Sequence, residues 1–228
     1  MKLLLFDIDQ TLLQTSKGHQ AAFDEAILEV YGEEVSVGMI EHGGMTDRQI
    51  ILELMRFRKL PEKAIQSRLD TCIRVMEKAY ARMLLDDELM VLKGVVELLE
   101  ALSRQPSILM GLVTGNLETI AWGKLRKVGL AKYFKLGGFG NEDVLRTRLV
   151  ENAIQRAIRQ HGFSVANNVY VFGDTPRDIE AGHDAKAITI GVATGKFSKP
   201  ELKRAGADWT LSSLEEVDGI SSILDLEL

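Results

Sequence analysis

"LLLFDIDQTLL", residues 3–13, sets four apolar residues directly before two aspartates, Asp7 and Asp9. A short unbroken apolar run reads as a strand buried on both faces of a parallel sheet. Ligands of such sheets gather beyond the carboxyl ends of the strands. Two like charges placed there repel each other unless a partner of opposite charge joins them. The pair therefore marks where chemistry is expected, and the rest of the chain must supply its partners.

Working outward, "SILMGLV" (107–113), "NVYVF" (168–172) and "AITIGV" (187–192) read as strands of the same kind, with "DWTL" (208–211) a weaker fifth. Helical patterns lie between them, over 94–102, 117–128 and 149–159, with a short helix opening at Pro176. Strands alternating with helices predict an α/β fold with a doubly wound parallel sheet. Residues 14–87 break the rhythm. Phe23, Ile27, Val30 and Tyr31 line one helix, and Ile50, Leu54 and Phe57 a second. Ile65, Leu69, Ile73, Met76, Tyr80 and Leu84 line a third. The expected organisation is an α/β core of residues 1–14 and 88–228 with an inserted α-helical cap of residues 15–87. The crossings at 13–17 and 85–93 would act as hinges.

The 228 residues are 46% hydrophobic and 27% charged, with a net charge of −5. That is an ordinary globular balance, and without a basic run it excludes a nucleic-acid footprint. No stretch has the features of a signal peptide or a membrane span, so a cytoplasmic protein with no membrane partner is expected. The single cysteine, Cys72, fits a reducing compartment and reads as core filler. Trp122 and Trp209 read as packing residues, and His19, His42, His161 and His183 show no ligand spacing.

Three predicted strands end in reactive groups: Asp7-Ile8-Asp9, Thr114-Gly115-Asn116, and Gly173-Asp174-Thr175-Pro176-Arg177-Asp178. Aspartates after strands are often caps or turn formers. Two separate aspartate pairs beside a Thr-Gly-Asn point to more. Carboxylates gathered in one cleft call for a hard divalent ion, Mg²⁺. Asp7 and Asp174 would ligate through carboxylates and Asp9 through its backbone carbonyl. Asp178 would ligate directly or hold a water.

"DIDQT" (7–11), "VTGN" (113–116) and "GDTPRD" (173–178) resemble the ordered motifs of the haloacid dehalogenase-like superfamily, and the resemblance spans essentially the whole chain. "GGMTDRQI" (43–50) and "GVATGKFSKPELKRAGADWTLSSLEEV" (191–217) resemble its phosphoglycolate phosphatase-like branch. The resemblance implies that Asp7 is a nucleophile forming an aspartyl-phosphate and that Asp9 is the general acid and base. Thr114, with the N–H groups of Gly115 and Asn116, would hold the phosphoryl group. An acid at position 9 favours phosphoryl transfer over dehalogenation, because a halide leaves without a proton.

Two positions depart from the family pattern. Gln10 replaces the usual glycine. The usual lysine is missing, and Arg146 or Arg148 would supply the cation. In the cap, the helix start at Thr46 and the guanidinium of Arg48 would meet the substrate, Arg48 by pairing with a carboxylate. The expected function is Mg²⁺-dependent hydrolysis of a small phosphomonoester, phosphoglycolate-like. The alternatives are a phosphomutase of the β-phosphoglucomutase type and a non-catalytic binding protein on the same scaffold. The expected partner is a small phosphate ester; the residues leave the oligomeric state open.

Overall fold

A computed structural model describes residues 1–164 and 169–226. One sheet is built from β1 (Lys2–Phe6), β2 (Ile108–Thr114), β3 (Gly137–Phe139), β4 (Val169–Gly173), β5 (Ile188–Val192) and β6 (Trp209–Leu211). The spatial order is β3-β2-β1-β4-β5-β6, and every neighbouring pair is parallel. The chain runs outward from β1 on one side and then returns to β4 on the other, so the switch point lies between β1 and β4. The strand expected at 168–172 is β4, though Asn168 lies outside the described residues.

Side chains of β1 alternate between two apolar layers, which is why the run is unbroken. Leu4 and Phe6 face one layer with Leu112, Phe172 and Ile190. That layer is closed by helices α4 (Val95–Ser103), α5 (Glu118–Lys127) and α9 (Val217–Leu224). Leu3 and Leu5 face the other, closed by α6 (Arg146–His161) and α7 (Pro176–Asp184). Each such residue taken fully from water contributes roughly 1.5–3 kcal/mol. The small helix α8 (Lys199–Arg204) seats Leu202 against Ile179 and Ala207.

Strand β3 has no counterpart among the expected strands, because Gly-Gly-Phe carries little strand propensity. Packing explains the glycine: a Cβ on Gly138 would lie 1.9 Å from the Leu149 carbonyl oxygen of α6. Two apolar expectations also fail at element ends. Phe57, the last residue of its helix, is exposed, and so is Trp209 on the edge strand β6.

Residues 15–87 contain only helices: α1 (Lys17–Tyr31), α2 (Asp47–Phe57) and α3 (Glu62–Met83), with a short 3₁₀ turn at Val37–Met39. Phe23, Ile27, Leu54, Ile65, Leu69, Cys72 and Met76 form their own apolar cluster, which continues into Leu117 and Ile120 beside α5. The two connections to the sheet run side by side: Gln14 N–H donates to Met90 O at 2.9 Å, and Leu92 N–H to Leu12 O at 3.0 Å. The buried Asp87 carboxylate accepts from Ser16 Oγ, from Gly18 N–H at 3.1 Å and from Tyr80 OH at 3.2 Å. Among the described residues, no helix is long and apolar enough to cross a membrane.

Candidate active site

Asp7 directly follows β1, and its N–H donates to Phe172 O of β4 at 2.9 Å, so the ends of the two strands are locked together. Asp174 follows β4, and Asp178 sits in the first turn of α7. Oxygens of Asp7, Asp174 and Asp178 all lie within 4.8 Å of one another, and all three residues are buried. Asp178 also caps its helix. Its Oδ2 accepts from Thr175 N–H at 3.0 Å and from Thr175 Oγ1 at 2.6 Å, in a capping box.

Arg146, the first residue of α6, is buried and reaches into this cluster. Its Nη2 donates to Asp7 Oδ1 at 2.6 Å and lies 2.5 Å from Asp178 Oδ1. One guanidinium does not neutralise three carboxylates. Burial pushes the Asp7 carboxyl up to about 7, with repulsion from Asp178 and Asp9 opposing the pull of Arg146. Asp174 is driven further, to about 9, by burial and then by Asp178 and Asp7. Asp178 Oδ1 meets the Arg146 guanidinium as an ion pair without a well-aligned hydrogen bond. An all-oxygen donor set of three buried carboxylates sharing one guanidinium fits a hard divalent cation such as Mg²⁺.

Asp9 points elsewhere. Its carboxylate takes both oxygens to Lys124 Nζ, at 2.8 and 2.9 Å, and Oδ2 accepts from Asn116 Nδ2 at 2.6 Å. Burial alone would raise its pKa, but the ammonium of Lys124, reinforced by His19 and Asn116, holds it below the ordinary carboxylate value. Lys124 has no exposed surface. Its Nζ also lies 2.6 Å from Asn116 Oδ1 and 3.1 Å from His19 Nδ1, and His19 Nε2 lies 3.1 Å from Asp47 Oδ2. The chain Asp47–His19–Lys124–Asp9 thus joins α1 and α2 to the end of β1. Lys124 and His19 are absent from the sequence-derived site. Lys124 carries a legible signal: it falls on the buried stripe of α5 with Ile120, Ala121 and Leu125, where a lysine is out of place. His19 carries none.

The turn at residues 42–46 sits on the strand-end loops. Asp47 N–H donates to Gly115 O at 2.7 Å, and a Cβ on Gly115 would lie 2.2 Å from Met45 O. Gly115 and Asn116 line the resulting cavity of about 160 Å³, together with Asp7, Asp9, Asp174 and Arg146. Other sequence-derived candidates lie apart from it. Thr114 is fully buried, and its Oγ1 accepts from Asn116 N–H at 3.2 Å and Asn116 Nδ2 at 2.8 Å. Thr46 is buried as the N-cap of α2, accepting from Gln49 N–H at 3.2 Å. Arg48 turns outward to Asp70 at 3.3 Å, because α2 aims its polar face at solvent. Arg148 does the same on α6, pairing with Glu151 at 2.6 Å. Two residues after Arg146 on a helix is the opposite face, so Arg148 does not reach Asp7.

Gln10 adopts φ 62°, the left-handed region where glycine is at ease. Thr194 Oγ1 donates to its carbonyl, which fastens the loop after β5 to the loop after β1. The neighbouring Gly195 leaves room for Asp174, since a Cβ there would lie 1.9 Å from Asp174 Oδ2.

The sequence model of the haloacid dehalogenase-like hydrolase family matches residues 4–192. The chain belongs to that family. A curated relative, phosphoglycolate phosphatase of Agrobacterium fabrum, is 28% identical over 207 residues, covering 88% of this chain and 84% of its own. Pyrophosphatase PpaX of Listeria innocua is 25% identical over 220 residues, covering 94% and 93%. Among solved structures, a hydrolase from Pseudomonas syringae is 22% identical and superposes with a TM-score of 0.72 over 98% of this chain and 99% of its own. A haloacid dehalogenase-like family protein from Streptococcus pneumoniae, 18% identical, gives 0.67 over 96% and 98%. Those two likenesses concern the fold.

Proposed function

We propose that this chain is a Mg²⁺-dependent phosphatase that hydrolyses a small phosphomonoester through an aspartyl-phosphate on Asp7. The observation that carries this reading is the meeting of Asp7, Asp174 and Asp178 within 4.8 Å, with Arg146 on Asp7. The phosphatase and pyrophosphatase names of full-length relatives agree with it.

Asp7, Asp174 and Asp178 would hold the ion, which when bound supplies positive charge to a phosphoryl group and to the carboxylates around it. An Asp7 oxygen attacks phosphorus while the bond to the leaving alkoxide breaks. Asp9 delivers a proton to that alkoxide. In the second half, Asp9 takes a proton from water, whose oxygen attacks phosphorus, and the bond to Asp7 breaks to release inorganic phosphate. Lys124 keeps Asp9 ionised, as the second half requires. An incoming phosphoryl anion beside Asp9 works the other way and favours the proton needed in the first half. Arg146 and the N–H groups around Gly115 and Asn116 stabilise the charge on the phosphoryl oxygens. Residues 15–87 serve as a cap that excludes water when seated on the core.

The test is phosphate release from a panel of phosphomonoesters with Mg²⁺ and with EDTA, using wild type and Asp7→Asn. Release is expected only for wild type with Mg²⁺. Equal rates in EDTA, or an undiminished Asp7→Asn variant, refute the mechanism.

A further inference from the structure

The two ends of the cavity differ in chemistry. Carboxylates and Arg146 stand at the core end. At the cap end the walls include Phe23 of α1, Val37, Met45 and Ile50 of α2, with Ser16, His19, Gln20 and Asp47 among them. A substrate held by its phosphoryl group at Asp7 directs its alcohol half toward this apolar end.

Among the described residues lining the cavity, no cation is free to meet a second negative charge. Arg146 is committed to Asp7 and Asp178. Lys124 is fully enclosed by Asp9, Asn116 and His19. Arg48, the residue expected to receive a carboxylate, is paired with Asp70 outside. Asp9 and Asp47 line the same cavity and would repel an anionic alcohol half. A charge moved into such a site without a partner is far more costly than an apolar group that the walls welcome.

His42, also in the lining, adds a polar preference. Its Nδ1 lies 3.1 Å from Ile40 O. A carbonyl only accepts, so Nδ1 donates to it, and Nε2 is left as a polar atom that a hydroxyl can meet.

Resting on the phosphatase reading above, we propose that the substrate is the monophosphate of a small uncharged alcohol with an apolar body. The cavity of about 160 Å³ sets the upper size. Esters whose leaving half carries a carboxylate or a second phosphate are poor substrates, which departs from the substrates in the relatives' names.

Kinetics with Mg²⁺ on n-propyl phosphate, phosphoglycolate and inorganic pyrophosphate test this, with p-nitrophenyl phosphate as a general reporter of phosphatase activity. The expected kcat/KM for n-propyl phosphate exceeds that for phosphoglycolate by about 10²-fold, the cost of a buried unpaired charge. Phosphoglycolate turned over as well as or better than the neutral ester overturns the proposal and leaves the phosphatase reading standing. No release from any ester, the reporter included, overturns both. Ile50→Arg adds a cation at the cap end and is expected to move the preference toward phosphoglycolate by about tenfold or more. A folded Ile50→Arg enzyme with an unchanged ratio overturns the proposal. Where that variant does not fold, the wild-type ratio alone decides.

Discussion

Replacing Lys124 by methionine tests the buried charge network most directly. Methionine keeps nearly the same volume and length, so packing changes little, while Asp9 loses the ammonium 2.8 Å away. Removing one partner of a buried ion pair costs about 3–5 kcal/mol, because the other charge is left behind without compensation. The Lys124 side chain has no exposure, but that of Asp9 is 28% exposed, so water relieves part of the loss. The lower end of the range, about 3 kcal/mol, is therefore the expected destabilisation. For a chain of this length that lowers the melting temperature by about 6–12 °C. Urea unfolding followed by circular dichroism measures it. The double variant Asp9→Asn/Lys124→Met removes both charges and is expected to regain about 1–2 kcal/mol of the loss. The pH dependence follows from the depressed Asp9 pKa. Its ionisation stabilises the native wild type above the ordinary carboxylate value, and that contribution is lost as pH falls through the native value. Lys124→Met is expected to flatten this acid limb. A loss below about 1 kcal/mol, as for a surface pair, refutes the reasoning, and so does a double variant no more stable than the single one.

Arg146→Ala is expected to lower kcat/KM by about 10²-fold or more, whereas Arg148→Ala stays within about twofold; steady-state phosphate release distinguishes them, and a reversed order assigns the cation to Arg148. Burial pushes the Cys72 thiol up to about 12, so a thiol reagent at pH 8 is expected to label it only after unfolding; rapid labelling of the native protein would contradict the packing of α3. Gln10→Gly relieves a left-handed side-chain conformation costing about 1–2 kcal/mol while adding roughly 0.5–1 kcal/mol of unfolded-chain entropy. The expected net is a stabilisation of about 0.5–1 kcal/mol, measured by urea unfolding. A destabilised variant would show that the Gln10 side chain contributes more than its strain costs.

Much of the fold was legible because it is written in local patterns. The runs at 3–6, 107–113 and 187–192 are apolar on both faces, so they read as interior strands and were found there. The stripes of α1 and α3 repeat at helical spacing and bury the residues expected of them except Val30 and Leu84, which are only partly buried. β3 was not legible, since its Gly138 is selected by the approach of Leu149 from a different element. The same division runs through the site. Asp7, Asp174 and Asp178 stand where strand ends place them, so their convergence needed only the strand order. The choice between Arg146 and Arg148 depends on which side of α6 faces the sheet, and that is set by packing and not by spacing to a motif.

The amino-acid sequence by itself determined the alternation of buried strands and helices, the helical segment between residues 14 and 87, and the acidic residues at the strand ends, because each follows from neighbours within a few positions. Tertiary structure alone decided that Lys124 holds Asp9 across 115 positions, that Arg146 holds Asp7 across 139, and that Arg48 leaves the cavity for Asp70. The physical reason is that a charge is assigned its partner by distance and desolvation in the folded chain, and neither quantity exists until elements far apart in sequence have packed together.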